Sequence, residues 1–136
     1  RVAEGHGLVF VNDSKATNID AMLKALEATP APIALLAGGY DKGGDFRAAA
    51  PLVKEKVARL VAFGNAREIV AGALRDAAPL VYADAMADAV AKAAEGAAPG
   101  TTVLLSPGCA SYDMYNDFEE RGADFGRCAR EYLERL

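Results

Sequence analysis

Apolar and polar residues alternate along the chain with two different periods, which predict strands and helices in turn. Five short apolar runs are typical of strands, because they are rich in β-branched or aromatic residues and end at turn residues: 8–11, 33–37, 57–63, 80–82 and 102–105. After the first run, apolar residues recur at the spacing of one helix face, at Ile19, Met22, Leu23 and Leu26. Similar patterns predict a short helix at 46–54, helices capped by Asn65 and Asp84, and a last helix over 118–136.

The regular alternation of predicted strands and helices indicates an α/β fold. Successive parallel strands need a helical crossover, so this order predicts a mainly parallel sheet with helices on both faces. A length of 136 residues suits one domain of this kind. We therefore expect a single Rossmann-like, doubly wound domain with a sheet of about five to six strands.

Charge and cysteine content narrow the possible partners. Fifteen Lys and Arg against nineteen Asp and Glu give a net charge of −4, so no general attraction to nucleic acid or to an anionic membrane is expected. No apolar run approaches the ~20 residues that span a bilayer.

Cys109 and Cys128 lack the spacing of a zinc site or a redox pair, so we expect reduced thiols and a cytoplasmic protein. Because the chain begins at Arg1 without a signal peptide, we expect it to be part of a longer polypeptide.

Three loops that follow predicted strands concentrate polar side chains and glycine. They are 12–18 (NDSKATN), 38–46 (GGYDKGGDF) and 106–113 (SPGCASYD), named here the first, second and third loops. The carboxyl ends of parallel strands meet at one edge of a sheet, where open α/β sheets bind their ligands. The sequence therefore predicts that the three loops form one ligand-binding rim.

The first loop places a carboxylate, an ammonium group and hydroxyls just before a helix. Free backbone N–H groups and the helix dipole favour an anion there, beside Lys15. The structural alternative is that Asp13 and Ser14 form a turn and that Lys15 is simply solvated. In that case Thr17 or Asn18 only caps the helix. From the residues alone, both interpretations stand.

The second loop combines glycines with Lys42. The glycines would let the backbone approach a ligand closely, and Lys42 offers a positive charge for a carboxylate or a phosphate. The loop is not a Walker A motif, because no Ser or Thr follows the lysine. A plain glycine-rich turn is the structural alternative.

The third loop begins with a predicted rigid turn at 106–108 and carries Cys109 and Ser111. A nucleophilic triad is not expected, because the sole histidine, His6, precedes the first predicted strand and lies far from this loop. Ser111 fits better as a hydrogen-bond donor to a carboxylate. The acids beyond the loop could form a paired-carboxylate site, but acids in a first helical turn more often complement the helix dipole: Asp117, Glu119 and Glu120.

Together, these loops resemble those of the C-terminal domain of the Mur ligase family, in its D-glutamate-adding branch. Residues 11–18 (VNDSKATN) look like the family's VNDSKATN segment, and residues 104–113 (LLSPGCASYD) are similar to its LLSPACASFD segment. The second loop differs from the family's GGxxK pattern only at variable positions. The departures, Gly108 for alanine and Tyr112 for phenylalanine, remove no side chain that the family uses. The resemblance runs essentially from end to end, which implies that residues 1–136 are the amino-acid-binding C-terminal domain.

The resemblance implies an ATP-dependent ligase of peptidoglycan precursor synthesis. Such an enzyme adds D-glutamate to UDP-MurNAc-L-alanine through an acyl phosphate. By the resemblance, Lys42 and Thr17 would bind the α-carboxylate of D-glutamate. Ser111 and the backbone near Phe118 would bind its side-chain carboxylate.

The same resemblance implies the cofactors and further partners. Asp13 would reach the ribose of the nucleotide, and Lys15 would lie between nucleotide and amino acid, with a catalytic role. ATP, Mg²⁺ and UDP-MurNAc-L-alanine would bind mainly to other domains, so this chain alone is expected to be inactive and to supply no metal ligand. Neither a nucleic acid nor a membrane is an implied partner, and a monomer is expected.

Two alternatives stay open. A sibling Mur ligase or a folylpolyglutamate ligase would add a different amino acid, although residues 13–18 with Ser111 and Phe118 match the D-glutamate-adding branch best. The other is a free-standing nucleotide-binding module without a catalytic role. The lack of a glycine-rich fingerprint between the first predicted strand and helix argues against this second alternative.

Overall fold

A computed structural model describes residues 1–40, 43–111 and 114–136. Its strands are β1 (Ala3–Gly5), β2 (Leu8–Asn12), β3 (Ile33–Gly38), β4 (Val57–Phe63), β5 (Leu80–Ala83) and β6 (Thr102–Gly108). Its helices are α1 (Ile19–Ala28), α2 (Ala50–Lys56), α3 (Arg67–Leu74), α4 (Met86–Ala94) and α5 (Phe118–Arg135), and a 3₁₀ turn, Phe46–Ala49, leads into α2.

The strands form one six-stranded sheet in the order β1-β2-β6-β3-β4-β5. Every pair is parallel except β1 with β2, which form an antiparallel hairpin. The predicted doubly wound, mainly parallel fold is therefore confirmed. The hairpin strand β1 was not predicted, because its three residues, Ala-Glu-Gly, have none of the β-branched or aromatic side chains that mark a strand.

Helices cover both faces of the sheet, and alternate residues of each strand point to opposite layers. In β4, Leu60 and Ala62 pack in the layer of α1, α2 and α3, whereas Val61 and Phe63 pack in the layer of α4 and α5. Each fully buried side chain of the size of Leu60 contributes about 1.5–3 kcal/mol through removal from water. Because both of its faces are buried, the central strand β3 is apolar throughout.

Two of the three predicted helix caps lie one residue away from their expected places. Asn18 does cap α1, since its side chain accepts a 2.9 Å hydrogen bond from the amide of Ala21. The N-cap of α3 is Ala66 rather than Asn65, and the N-cap of α4 is Ala85 rather than Asp84. A tertiary contact accompanies each shift: the amide of Ala66 bonds to the carbonyl of Gly39, and the carboxylate of Asp84 pairs with Arg67.

The predicted turn at 106–108 is wrong, because β6 continues to Gly108. Gly108 pairs with Gly38 of β3 across a shift in register. Pro107 lies beside this irregularity, where a residue without an N–H group disturbs the ladder least. The first three residues of the third loop, 106–108, therefore belong to the strand.

Two expectations about the core and the surface can also be compared with the structure. Cys109 and Cys128 are buried thiols, and His6 is exposed in the turn between β1 and β2. Among the described residues, no helix combines the length and the apolar character needed to cross a bilayer.

Candidate active site at the carboxyl edge of the sheet

The connection after β6 leaves the sheet on the opposite face from the connections after its two neighbours, β2 and β3. After β2 the chain passes to α1 in one helical layer, and after β3 it passes to α2 in the same layer. After β6, which lies between these two strands, it passes to α5 in the other layer. Divergent connections open a crevice outside the carboxyl ends of the strands, and ligands bind there in doubly wound sheets.

The first and third loops are joined by a hydrogen bond between side chains. The amide of Asp13 bonds to the carbonyl of Leu105 at 2.8 Å, and the hydroxyl of Ser106 donates to Oδ2 of Asp13 at 3.1 Å. Burial raises the pKa of Asp13 above its ordinary value, against the opposing effects of the Ser106 hydrogen bond and the charge of Lys15. The carboxylate of Asp13 thus has a fixed orientation at the mouth of the crevice.

The second and third loops are joined by their backbones. The amide of Tyr40 donates to the carbonyl of Ala110 at 2.8 Å, and the amide of Ala110 donates to the carbonyl of Tyr40 at 3.2 Å. Gly39 allows this close approach with a φ of 129°, because a Cβ atom on it would lie 2.4 Å from the oxygen of Ala110. In their described parts, the three loops therefore form one rim, as predicted.

Lys15 lies between two clefts that open on this rim. The α5 cleft, of about 410 Å³, is lined by Asn12, Ser14, Lys15, Phe118, Glu119 and Ala123. The α1 cleft, of about 570 Å³, runs along α1, and its lining includes Asp13, Lys15, Lys24, Ala25 and Leu104. The exposed Lys15 side chain is thus placed to contact groups bound in either cleft.

The other site residues named from the sequence have different surroundings. Phe118 lines the α5 cleft and is 40% exposed, whereas Ser111, three residues beyond the end of β6, is only 2% exposed. Thr17 is half-buried, and its amide bonds to the carbonyl of Lys15 at 2.8 Å. Lys42 lies outside the described residues, so its predicted role remains a prediction. Within the described part of the chain, the structure brings Lys15 and Phe118 to one cleft.

Arg121 is a residue of this region to which the sequence assigned no role. Its side chain is 0% exposed, and its Nε and Nη2 donate to the hydroxyl and the carbonyl of Ser14, each at 2.8 Å. The hydroxyl of Ser14 in turn donates to the carbonyl of Phe118 at 2.6 Å. One feature of the sequence could have indicated that Arg121 is buried: it falls on the apolar stripe of α5, at helical spacing from Phe125 and Cys128.

The acids at the start of α5 serve the helix rather than a paired-carboxylate site. Asp117 is the N-cap, and its side chain accepts a 2.8 Å hydrogen bond from the amide of Glu120. Glu119 and Glu120 occupy the first turn, where negative charge complements the helix dipole. In residues 1–40, 43–111 and 114–136, no three His, Cys, Asp or Glu side chains are grouped so that they could hold a metal ion.

Comparison with known proteins identifies the relatives of the chain. The family profile described as "Mur ligase, glutamate ligase domain" matches residues 1–109. A protein of Chlorobaculum tepidum named UDP-N-acetylmuramoylalanine--D-glutamate ligase is 50% identical over 125 residues, which are 92% of this chain and 27% of that protein. Proteins of the same name from Chlorobium luteolum and Desulfatibacillum aliphaticivorans are 53% and 47% identical over 91% and 93% of this chain, and over 27% and 28% of their own lengths. The chain thus spans about a quarter of the length of the relatives that it matches.

Proposed function

The chain belongs to the Mur ligase family through its glutamate ligase domain, and we propose that it is the amino-acid-binding domain of an ATP-dependent ligase that adds D-glutamate to UDP-MurNAc-L-alanine. In this proposal residues 1–136 form one such domain, and the nucleotide-sugar site and most of the ATP site belong to other parts of the enzyme. The reaction joins the amine of D-glutamate to a carboxylate that ATP has first activated as an acyl phosphate. The observation that carries the proposal is the position of Lys15 between two clefts on the shared rim.

We propose that D-glutamate binds at the α5 cleft. A dicarboxylate needs cations and hydrogen-bond donors at two separate points, because each carboxylate loses water on binding. Lys42 and Thr17 would bind the α-carboxylate. Ser111 and the backbone near Phe118 would bind the side-chain carboxylate. Ser111 is buried, and neither it nor Thr17 lines the α5 cleft itself, so their roles are proposed from the resemblance of their loops.

The nucleotide would approach from the side of the α1 cleft. The carboxylate of Asp13, held by Ser106 at its mouth, is a suitable acceptor for a ribose hydroxyl. The ammonium group of Lys15 would offset the negative charge that gathers between the activated carboxylate and the incoming amino acid. When bound, ATP supplies the phosphoryl group, and Mg²⁺ would be held by parts of the enzyme beyond these residues.

The remaining features of the proposal concern where and how the domain works. We propose that the enzyme acts as a monomer in the cytoplasm, in peptidoglycan precursor synthesis. Buried cysteine thiols are consistent with a reducing compartment. The isolated domain would lack ligase activity, because the groups that activate the carboxylate are not among its residues.

The test is the amino-acid selectivity of the full-length enzyme. The enzyme would be incubated with UDP-MurNAc-L-alanine, ATP, Mg²⁺ and one of D-glutamate, L-glutamate, L-lysine or meso-diaminopimelate. We expect phosphate release and a new nucleotide product with D-glutamate alone. Product with another of these amino acids but not with D-glutamate would assign the chain to a sibling ligase, and no product with any of them would contradict the proposal.

A further inference from the structure

The guanidinium group of Arg121 lies where the three loops meet, although no step of the proposed reaction uses it. It reaches the first loop through its two hydrogen bonds to Ser14. It also lies under the second loop, because a Cβ atom on Gly39 would come within 3.0 Å of its Nη1. Its own helix, α5, follows the third loop along the chain. The buried side chain of Arg121 therefore contacts the first and second loops, and its helix follows the third loop along the chain.

Ser14 makes four hydrogen bonds, two of them to Arg121, so Arg121 is a main contact that fixes the position of the first loop. Its amide donates to Oδ1 of Asn12 at 2.9 Å, its carbonyl accepts from Arg121, and its hydroxyl bonds to both Arg121 and Phe118. The backbone of α5 also packs directly on Asn12, since a Cβ atom on Gly122 would lie 2.5 Å from Nδ2 of Asn12. Segments that are 104 residues apart in sequence are thereby held together.

The two segments joined in this way both line the α5 cleft. Lys15 follows Ser14 on the first loop, and Phe118 begins α5. A planar guanidinium with two parallel donors fixes both the distance and the orientation of its partner, which a single ammonium group cannot do. The separation of Lys15 from the N-terminus of α5 thus depends on Arg121.

We propose that Arg121 is a positioning residue, which through Ser14 sets the separation between Lys15 and the Phe118 end of the α5 cleft and so determines the affinity for the amino-acid dicarboxylate. This inference rests on the proposed function, because it assigns the amino acid to the α5 cleft. Arg121 is too deeply buried to contact the substrate itself. Its effect on the reaction is geometric.

The experiment uses the full-length enzyme and two conservative variants, Arg121→Lys and Ser14→Ala. Arg121→Lys keeps the charge but loses the paired donors, and Ser14→Ala keeps Arg121 but loses the shared hydroxyl. For both we expect the KM for D-glutamate to rise about tenfold and the KM for ATP to rise by a clearly smaller factor, because the first loop lines both clefts but Ser14, with its bond to Phe118, lines the α5 cleft alone. Arg127→Met, on the exposed side of α5, is the matched control and should leave both KM values unchanged.

A second readout separates positioning from a general loss of stability and does not depend on the reaction. In amide hydrogen exchange, residues 13–18 should exchange faster in both variants, while β3 and β4 keep the rate of the wild-type enzyme. Unchanged exchange in residues 13–18, an unchanged KM for D-glutamate, or an equal rise in both KM values would overturn the inference. If the wild-type enzyme forms no product from D-glutamate, the proposed function fails instead, and the exchange rates alone decide whether Arg121 positions the first loop.

Discussion

The hydroxyl of Ser106 donates a 3.1 Å hydrogen bond to Oδ2 of Asp13, and this bond joins the ends of two neighbouring parallel strands. Ser106 is fully buried, whereas Asp13 is half-exposed at the mouth of the α1 cleft. The pair therefore connects the interior of the sheet to the proposed nucleotide site. The hydrogen bond from Ser106 also lowers the pKa of the Asp13 carboxyl group, whereas burial raises that pKa.

Loss of this hydrogen bond should change the pH dependence of the enzyme. In Ser106→Ala, the pKa of Asp13 should rise further, because burial then acts with less opposition. The acidic limb of the kcat/KM profile for ATP should therefore lie at higher pH in the variant than in the wild-type enzyme. In an Asp13→Asn background, the same substitution at Ser106 should not move the limb, and a shift there would show that another group titrates.

Asp124 should make the stability of the chain depend on pH. Burial raises its pKa, but hydrogen bonds from Tyr115, Arg127 and Cys128 outweigh this effect, and the pKa is lowered below 3.8. A lowered pKa stabilises the fold above the unfolded value of 3.8, and this contribution disappears as pH falls below it. We expect Asp124→Asn to cost about 1–2 kcal/mol at pH 7 and to flatten the loss of stability below pH 4. Urea unfolding between pH 3 and pH 7 measures the free energy of unfolding and its dependence on pH. The same pH dependence in the variant and the wild type would contradict the role of Asp124.

The close contact at Gly39 predicts a large difference between two glycine substitutions. Gly39→Ala forces a Cβ atom to within 2.4 Å of the carbonyl oxygen of Ala110 at a φ of 129°, and should cost about 3 kcal/mol or more. Gly72→Ala, in α3, meets nothing within 4 Å and should stabilise the chain by up to about 1 kcal/mol. Urea unfolding of the two variants measures this difference. Equal stabilities would show that the second and third loops are not joined as described.

Lys42 and Ser111 should act on the amino acid rather than on the nucleotide. Removal of the ammonium group in Lys42→Ala should raise the KM for D-glutamate by about tenfold or more and leave the KM for ATP nearly unchanged. Ser111→Ala should have the same effect in a milder form, because a neutral donor contributes less than a charged one. Steady-state kinetics with each substrate varied in turn provides the measurement. A collapse of nucleotide affinity with an unaffected KM for D-glutamate would reverse the assignment of Lys42.

Local sequence patterns predicted most of the fold, because the apolar residues of this chain follow the strand and helix periods closely. The boundaries of β4 were predicted to the residue, and the stripe that begins at Ile19 predicted α1. The end of β6 was missed, because Pro107 and Gly108 normally indicate a turn and only the pairing with Gly38 extends the strand.

The part of the site that depends on distant contacts could not be predicted in the same way. The rim itself followed from topology, since each polar loop comes after a predicted strand. Arg121 binds Ser14 across 107 residues, and no local period describes such a pair. A charged residue on the apolar stripe of a helix indicates that a hydrogen-bond partner is buried beside it, but the pattern does not indicate which residue that partner is.

The proposed ligase reaction takes place at the rim around Lys15, and the kcat of a Lys15 variant tests this claim most directly. Lys15→Met keeps most of the apolar stem but removes the charge between the two clefts, whereas Lys54→Met makes the same change on an exposed face of α2. With both variants folded as judged by equal thermal unfolding, we expect kcat for D-glutamate ligation to fall about 100-fold or more in Lys15→Met. The kcat of Lys54→Met should stay within about twofold of the wild-type value. A Lys15→Met enzyme with the kcat of the wild type would contradict the claim.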